Sequence, residues 1–172
     1  MLAKKIDKKE TKSPVVEIVH DPDESEDMIN KHRLPGEICY YNPPLTFADK
    51  ESGFKKFWMG YFINDKVPKI KYIIDGSKED RWEKIESYIS KLGDDAKNKI
   101  WGPKVLDNAP GWGFAILGAD RNDKLAKIWL LDADKDSQNH PPIVFYVKND
   151  RIIDHLYLLF INQYNALPDK KN

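Results

Sequence analysis

The chain has 172 residues, a length that suits one domain with an additional segment. Its 28 basic and 28 acidic residues give a formal net charge of zero. This balance argues against nucleic acid as a partner, because phosphate contacts usually require an excess of lysine and arginine. The single cysteine, Cys39, excludes an intrachain disulfide. No apolar run has the length of a membrane span. We therefore predict a cytoplasmic protein without membrane association.

Residues 1–35 are rich in charge and poor in apolar side chains. A lysine-rich start is followed by an acidic stretch, a composition typical of disorder. We predict a disordered tail or linker over residues 1–35 and a disordered end over residues 169–172. The Val-Val-Glu-Ile-Val segment at residues 15–19 is the exception, and it fits either a strand or a partner-docking motif.

Residues 36–168 have the periodicities of one folded α/β domain. We predict a mixed sheet of about five to six strands flanked by three helices, in the order β-α-β-α-β-β-β-β-α. The predicted strands cover residues 37–41, 69–74, 100–106, 113–117, 124–131 and 142–147. The predicted helices cover residues 54–62, 77–92 and 150–167.

Local signals place the ends of several elements. Ser77 precedes an acidic residue by three positions and is the predicted N-cap of the second helix. Trp82 and Ile85 begin the apolar stripe of that helix, and Gly93 is its predicted end. The turn-rich segment 118–123 lies between two short strands and predicts a β-hairpin.

The first two strands are predicted to end at the same edge of the sheet. In open α/β sheets, ligands bind at the carboxyl edge of parallel strands. We therefore predict a small-ligand site containing Tyr41, Asn42, Asp75 and Ser77. Trp112, which stands between two glycines, is added as either a mobile lid over a ligand or a tight corner packed into the core.

An acidic loop suggests a metal site. Asp132, Asp134 and Asp136 alternate along the chain, and His140 follows them. Carboxylates in such spacing can converge on Mg²⁺ or Ca²⁺. The loop fails the EF-hand pattern, because its sixth and twelfth positions hold serine and isoleucine. A loop of solvated side chains without metal is the alternative interpretation.

The last predicted helix is apolar on most of its circumference. A helix of this kind is either sandwiched within the domain or buried on one side and docked to a partner on the other. The second alternative predicts self-association, as in a dimer, or a protein partner. The predicted interface residues are Ile153, Tyr157, Phe160, Ile161 and Tyr164.

The order of elements after Gly36 resembles one half of the phospholipase D-like fold. The closest part is the ending, where the strand at 142–147 and Asn149-Asp150 lead into a helix with Phe160 and Tyr164. Active members of that superfamily carry His-x-Lys-x4-Asp. No histidine of this chain has lysine two positions later. The resemblance thus implies a catalytically silent domain of the regulatory type.

No nucleophile elbow, P-loop or dinucleotide-binding glycine motif is present, so no catalytic residue is predicted and an enzyme is not favoured. We therefore predict a binding or regulatory domain that senses a ligand or contacts a protein. A hydrolase or nuclease using the acidic loop is the first alternative. The second is a nucleic-acid module that uses exposed aromatic side chains, which the zero net charge opposes.

Overall fold

The computed structural model describes residues 16–19, 36–45, 69–130 and 144–168. Seven strands are present in these ranges: β1 (Val16–Val19), β2 (Ile38–Tyr41), β3 (Ile70–Asp75), β4 (Ile100–Leu106), β5 (Trp112–Leu117), β6 (Leu125–Leu130) and β7 (Val144–Val147). Three α-helices accompany them: α1 (Glu79–Ser90), α2 (Asp94–Asn98) and α3 (Asp150–Ala166). The predicted first helix at 54–62 lies outside the described residues.

The strands form one sheet in the order β1-β7-β6-β5-β2-β3-β4. Strand β3 runs parallel to both β2 and β4, and the remaining pairs are antiparallel. The predicted mixed α/β sheet is therefore confirmed, including the β5–β6 hairpin. The parallel pairs follow from the chain between their strands, because a parallel connection requires a long crossover whereas a hairpin needs only a turn.

Strand β1 bears on the exception that the prediction made for residues 15–19. Within residues 1–35, which were predicted to be disordered, Val16–Val19 pairs antiparallel with β7 and places Val16 opposite Val147. Of the two alternatives for this segment, the strand is therefore the one that forms. Its β-branched side chains favour the extended backbone. The other residues of the segment lie outside the described ranges.

One face of the sheet packs against α1. Trp82, Ile85 and Ile89 are buried on it, as their spacing of three and four residues predicts. The parallel register sets Tyr40 opposite Tyr72; their rings stack with centroids 5.0 Å apart, and Trp82 lies 4.8 Å from Tyr72. This aromatic cluster anchors α1 to the parallel half of the sheet.

The start of α1 differs from the prediction. The Asp75 carboxylate, rather than a Ser77 hydroxyl, caps this region by accepting a hydrogen bond of 2.9 Å from the Ser77 backbone N–H. A short 3₁₀ turn then covers Gly76–Lys78, and α1 begins at Glu79. The helix also ends earlier than predicted, at Ser90 with Lys91 as its C-cap. Gly93, whose φ of 97° is a left-handed conformation that favours glycine, is instead the N-cap of α2.

The opposite face of the sheet packs against α3. The Asn149 side chain caps this helix by accepting from the Ile152 backbone N–H at 3.1 Å. Ile153 and Phe160 lie seven residues apart, about two turns, and both are fully buried against the sheet. Among the described residues, no helix has the length and apolarity needed to cross a membrane.

Two of the five residues predicted to form an interface on α3 are buried within this chain. Ile153 and Phe160 belong to the core of this chain, while Tyr157, Ile161 and Tyr164 are half-buried against the same core. The helix is apolar around most of its circumference because it lies down on a wide sheet, which covers its flanks as well as its centre. The large apolar side chains that α3 exposes are Ile152 and Leu158.

Phe160 is buried and Leu158 is exposed on α3, so truncating the two side chains should lower the free energy of unfolding by different amounts. Phe160→Ala should lower the free energy of unfolding by about 3–5 kcal/mol, because it leaves a cavity in the core. Leu158→Ala, two residues away at a side chain that is 58% exposed, should change it by less than about 0.5 kcal/mol. Chemical denaturation followed by tryptophan fluorescence measures both; equal losses in the two variants would contradict this packing.

Candidate nucleic-acid interface

The predicted ligand residues do meet at the carboxyl ends of β2 and β3, where the parallel register brings Tyr41 next to Ile73. At their centre is Asn42, which is fully buried and has a φ of 47°. Its side-chain NH₂ donates to the carbonyl oxygens of Pro110 at 2.8 Å and Trp112 at 3.1 Å. These bonds connect the end of β2 to the start of β5.

The rest of Asn42 is also engaged by the protein. The side-chain oxygen accepts from the Lys78 ammonium at 2.6 Å, and the backbone carbonyl accepts from the Trp129 indole at 3.1 Å. A Cβ at Gly113 would collide with that indole nitrogen and with the Asn42 carbonyl oxygen, which explains the glycine there. The polar groups of Asn42 that could contact a ligand thus form hydrogen bonds that hold the sheet together.

Trp112 forms a packed corner, one of the two alternatives for this residue. Its ring lies 5.8 Å from both Tyr41 and Phe114, between centroids. The Tyr41 hydroxyl donates to the Gln163 side-chain oxygen on α3 at 3.1 Å, and Asp75 caps the following turn. The predicted ligand residues are therefore brought together, but the polar side-chain groups of Tyr41, Asn42 and Asp75 make structural contacts.

Lys78 is the most perturbed basic group in this cluster. Its ammonium also donates to the Pro43 carbonyl at 3.1 Å, and Arg81 donates to the neighbouring Pro44 carbonyl at 3.1 Å. Desolvation by burial lowers the pKa of Lys78 to about 8, against the opposing influence of Asp75 and with a further lowering by Arg81. Sequence reasoning missed this lysine, whose position follows from the turn that precedes α1.

The lowered pKa of Lys78 predicts a pH dependence of stability. Between pH 8 and 10.5 the unfolded chain holds a proton on this lysine that the folded chain releases, so the free energy of unfolding should rise with pH. A Lys78→Met variant should lack this increment, and its difference from wild type should change only within that window. Denaturation midpoints across the range measure it, with exposed Lys84→Met as control; parallel curves for wild type and Lys78→Met would contradict it.

The predicted metal residues Asp132, Asp134, Asp136 and His140 lie outside the described residues. Within the ranges that the structure describes, no three histidine, cysteine, aspartate or glutamate side chains cluster in a way that could hold a metal ion.

A different group of side chains lies on the α3 side of β3 and β4. The register places Lys71 opposite Trp101 and Ile73 opposite Lys104, so all four project on one side of the sheet. Lys69, two residues before Lys71, joins them. We call this surface the lysine–aromatic face; its members are Lys69, Lys71, Trp101, Lys104 and Tyr164 of α3.

Trp101 and Lys69 form the exposed part of this face. The Lys69 Nζ atom lies 3.3 Å from the centroid of the Trp101 ring, a cation–π contact. The Trp101 side chain is 50% exposed although β4 forms one edge of the sheet and tryptophan is mostly buried in folded proteins. A large aromatic ring is thereby presented to solvent beside a positive charge.

The inner part of the face surrounds Tyr164. The ammonium groups of Lys71 and Lys104 lie 5.9 and 5.4 Å from its ring centroid. Lys71 also pairs with Glu37 at 2.6 Å in a largely buried contact. Desolvation lowers the pKa of Lys71, but the hydrogen bond and charge of Glu37 outweigh it and raise the pKa overall. Lys71 is thus a positioned ion-pair partner.

Three of the five members of the face are lysines. Glu37 pairs with one of them, Lys71, and α3 carries no acidic residue between His155 and its end at Ala166. A zero net charge over the whole chain is therefore compatible with a local cluster of basic side chains, because the net charge does not report where the charges lie.

An irregularity in β4 explains why sequence reasoning missed this face. The β3–β4 register shifts between Lys71 and Ile73, so that Trp101 and Lys104, three residues apart, project on the same side. In a regular strand, residues three apart point to opposite sides. Gly102 lies within the shift with a φ of 108°, and a Cβ there would press against the Tyr72 carbonyl oxygen. A glycine-proline pair within a strand pattern is the available signal for such a bulge.

Comparison with known proteins finds a solved structure with a similar fold. No protein-family model and no curated protein matches the chain. The fold is similar to that of TrmBL2, described as an archaeal chromatin protein that shows a novel mode of DNA binding. The TM-score is 0.59 at 15% sequence identity, over 94% of this chain and 56% of TrmBL2. The likeness shows a shared fold. This chain spans a little over half the length of TrmBL2.

This comparison overturns the functional prediction. A solved protein with a similar fold is described as binding DNA, so the prediction that nucleic acid is an unlikely partner was wrong, as was the interpretation as a sensor or protein-interaction domain. The residues of the metal-dependent hydrolase or nuclease alternative lie outside the described ranges. The exclusion rested on net charge, which is not informative about a local surface. The phospholipase D-like resemblance stays a prediction, because the comparison with a chromatin protein does not bear on that superfamily.

Proposed function

We propose that this chain binds DNA and that it does so through the lysine–aromatic face. The observation that carries the proposal is the Lys69–Trp101 pair, a cation 3.3 Å from an aromatic ring that is half exposed at a sheet edge. The TrmBL2 likeness supports the choice of DNA over other polyanions, since that protein of the same fold is described as binding it.

The chemistry of the face fits phosphate contacts. Lysine ammonium groups contact the phosphate backbone without reading the bases, so the expected binding is independent of sequence. Few charges are available, because Lys71 is already paired with Glu37. The expected dissociation constant is about 1–100 µM at physiological salt, the range of non-specific binding.

The role of the individual side chains follows from their positions. Lys69 and Lys104 supply charge at the two ends of the face, and Trp101 supplies an apolar surface between base and protein. The ion pair with Glu37 holds Lys71 near the ring of Tyr164. The ion pair is largely buried and Tyr164 is half-buried. The expected role of Lys71 is therefore to stabilise the lysine–aromatic face rather than to contact DNA.

The salt dependence of binding tests the proposal. Fluorescence anisotropy with a labelled blunt duplex at 50 and 200 mM salt should show affinity falling with salt. A Lys69→Gln/Lys104→Gln double variant should bind more weakly, and the slope of log affinity against log salt should be smaller by roughly two, since each lost phosphate contact contributes about 0.9.

The control variant carries the same change in charge elsewhere. Lys84→Gln/Lys91→Gln alters an exposed residue of α1 and the exposed residue that caps its end, on the other face of the sheet. Its affinity and salt slope should match wild type within about twofold. Equal losses in both double variants would place the contact elsewhere, and absence of binding by wild type at 50 mM salt would overturn DNA binding itself.

A further inference from the structure

We infer that Trp101 stacks on an unpaired DNA base, so that the lysine–aromatic face prefers single-stranded DNA to a blunt duplex. This inference rests on the proposed function and specifies the form of its ligand. The bases of an intact duplex are stacked on one another, and an aromatic side chain on a sheet reaches the face of a base only where that stack is open.

The first argument is the presentation of the ring. Trp101 lies on the edge strand β4, next to the exposed Gly102, and half of its surface is accessible to solvent. The β3–β4 register sets it on the same side as Lys69 and Lys71, and the bulge that follows brings Lys104 to that side as well. Because the next residue in the strand is a glycine, no large side chain stands directly beside the indole. A planar base could therefore lie on the ring.

The second argument is the position of Lys69. Its ammonium lies 3.3 Å from the ring centroid and covers one face of the indole, so a base would stack on the other face. It also orients the ring, which reduces the side-chain freedom that stacking would cost. A phosphate adjacent to the stacked base would lie near a positive charge, as in single-strand binding surfaces that combine aromatic platforms with a basic groove.

The third argument separates this ring from the other large aromatic side chains. Trp82 and Trp129 are buried in the core, and Trp112 packs against Tyr41 and Phe114. Among the described residues, Trp101 is the one tryptophan that is half exposed or more. Core packing therefore does not explain why a tryptophan occupies this position.

The test compares three ligands of equal length: a single-stranded oligonucleotide of mixed sequence, its blunt duplex, and a strand in which every base is replaced by an abasic site. Wild type should bind the single strand most tightly, with quenching of tryptophan fluorescence. Trp101→Leu should weaken single-strand binding by roughly five- to a hundredfold, the range of one lost stack. Its duplex affinity should stay within about twofold of wild type, and Trp101→Phe should restore most of the loss.

The abasic strand and a distant variant control for the source of the effect. The abasic strand should bind to wild type as weakly as the normal single strand binds to Trp101→Leu, because phosphates alone remain. Leu158→Ala, an exposed apolar side chain on α3, should bind all three ligands as wild type does. Circular dichroism should show Trp101→Leu folded, since the replaced ring is half exposed.

Two outcomes would overturn the stacking inference: unchanged single-strand affinity in Trp101→Leu, or equal affinity of wild type for normal and abasic strands. If duplex binding still depends on Lys69 and Lys104 in that case, DNA binding by this face stands and only the stacking is wrong. If wild type binds none of the three ligands at low salt, both proposals fall.

Discussion

The hydrogen bonds of the buried Asn42 side chain are the interactions on which the rest of the structure depends. Asn42 lies at the end of β2, the strand that pairs parallel to β3 on one side and antiparallel to β5 on the other. Its amide holds the loop before β5, and its oxygen holds the Lys78 ammonium that precedes α1. The junction between the two halves of the sheet is thus made by polar bonds in an apolar interior, where leaving any of them unmade would be costly.

The polar groups at this junction serve the structure, and the side chains that could contact a ligand lie elsewhere. The carboxyl edge of β2 and β3, where ligands bind in many α/β proteins, is filled here by capping and anchoring contacts. Aromatic and basic side chains lie instead on the α3 side of β3 and β4, with Trp101 half exposed and Tyr164 half-buried. The surface that we propose for DNA is thus a face of the sheet beside α3, and not the cleft that topology alone would favour.

Several parts of the fold could be predicted because their signals are local. The apolar stripe of α1 and the β5–β6 hairpin both follow from residues close together in the chain. The candidate site could not be predicted in this way. Lys69 and Trp101 are thirty-two positions apart, and their contact depends on the pairing register of β3 with β4. The apolar circumference of α3 was informative about burial, but it did not distinguish an internal sheet from an external partner.

The sequence by itself determined α1, α3, most strands and the mixed character of the sheet, because periodicity of apolar side chains is set by the backbone repeat of each element. Only the tertiary structure decided that Asn42 is a saturated anchor, that Phe160 faces inward, and that a bulge aligns Trp101 with Lys104. These features depend on pairing between distant segments. The same reason explains the basic face of a chain with no net charge: composition counts charges, whereas folding decides which of them are neighbours.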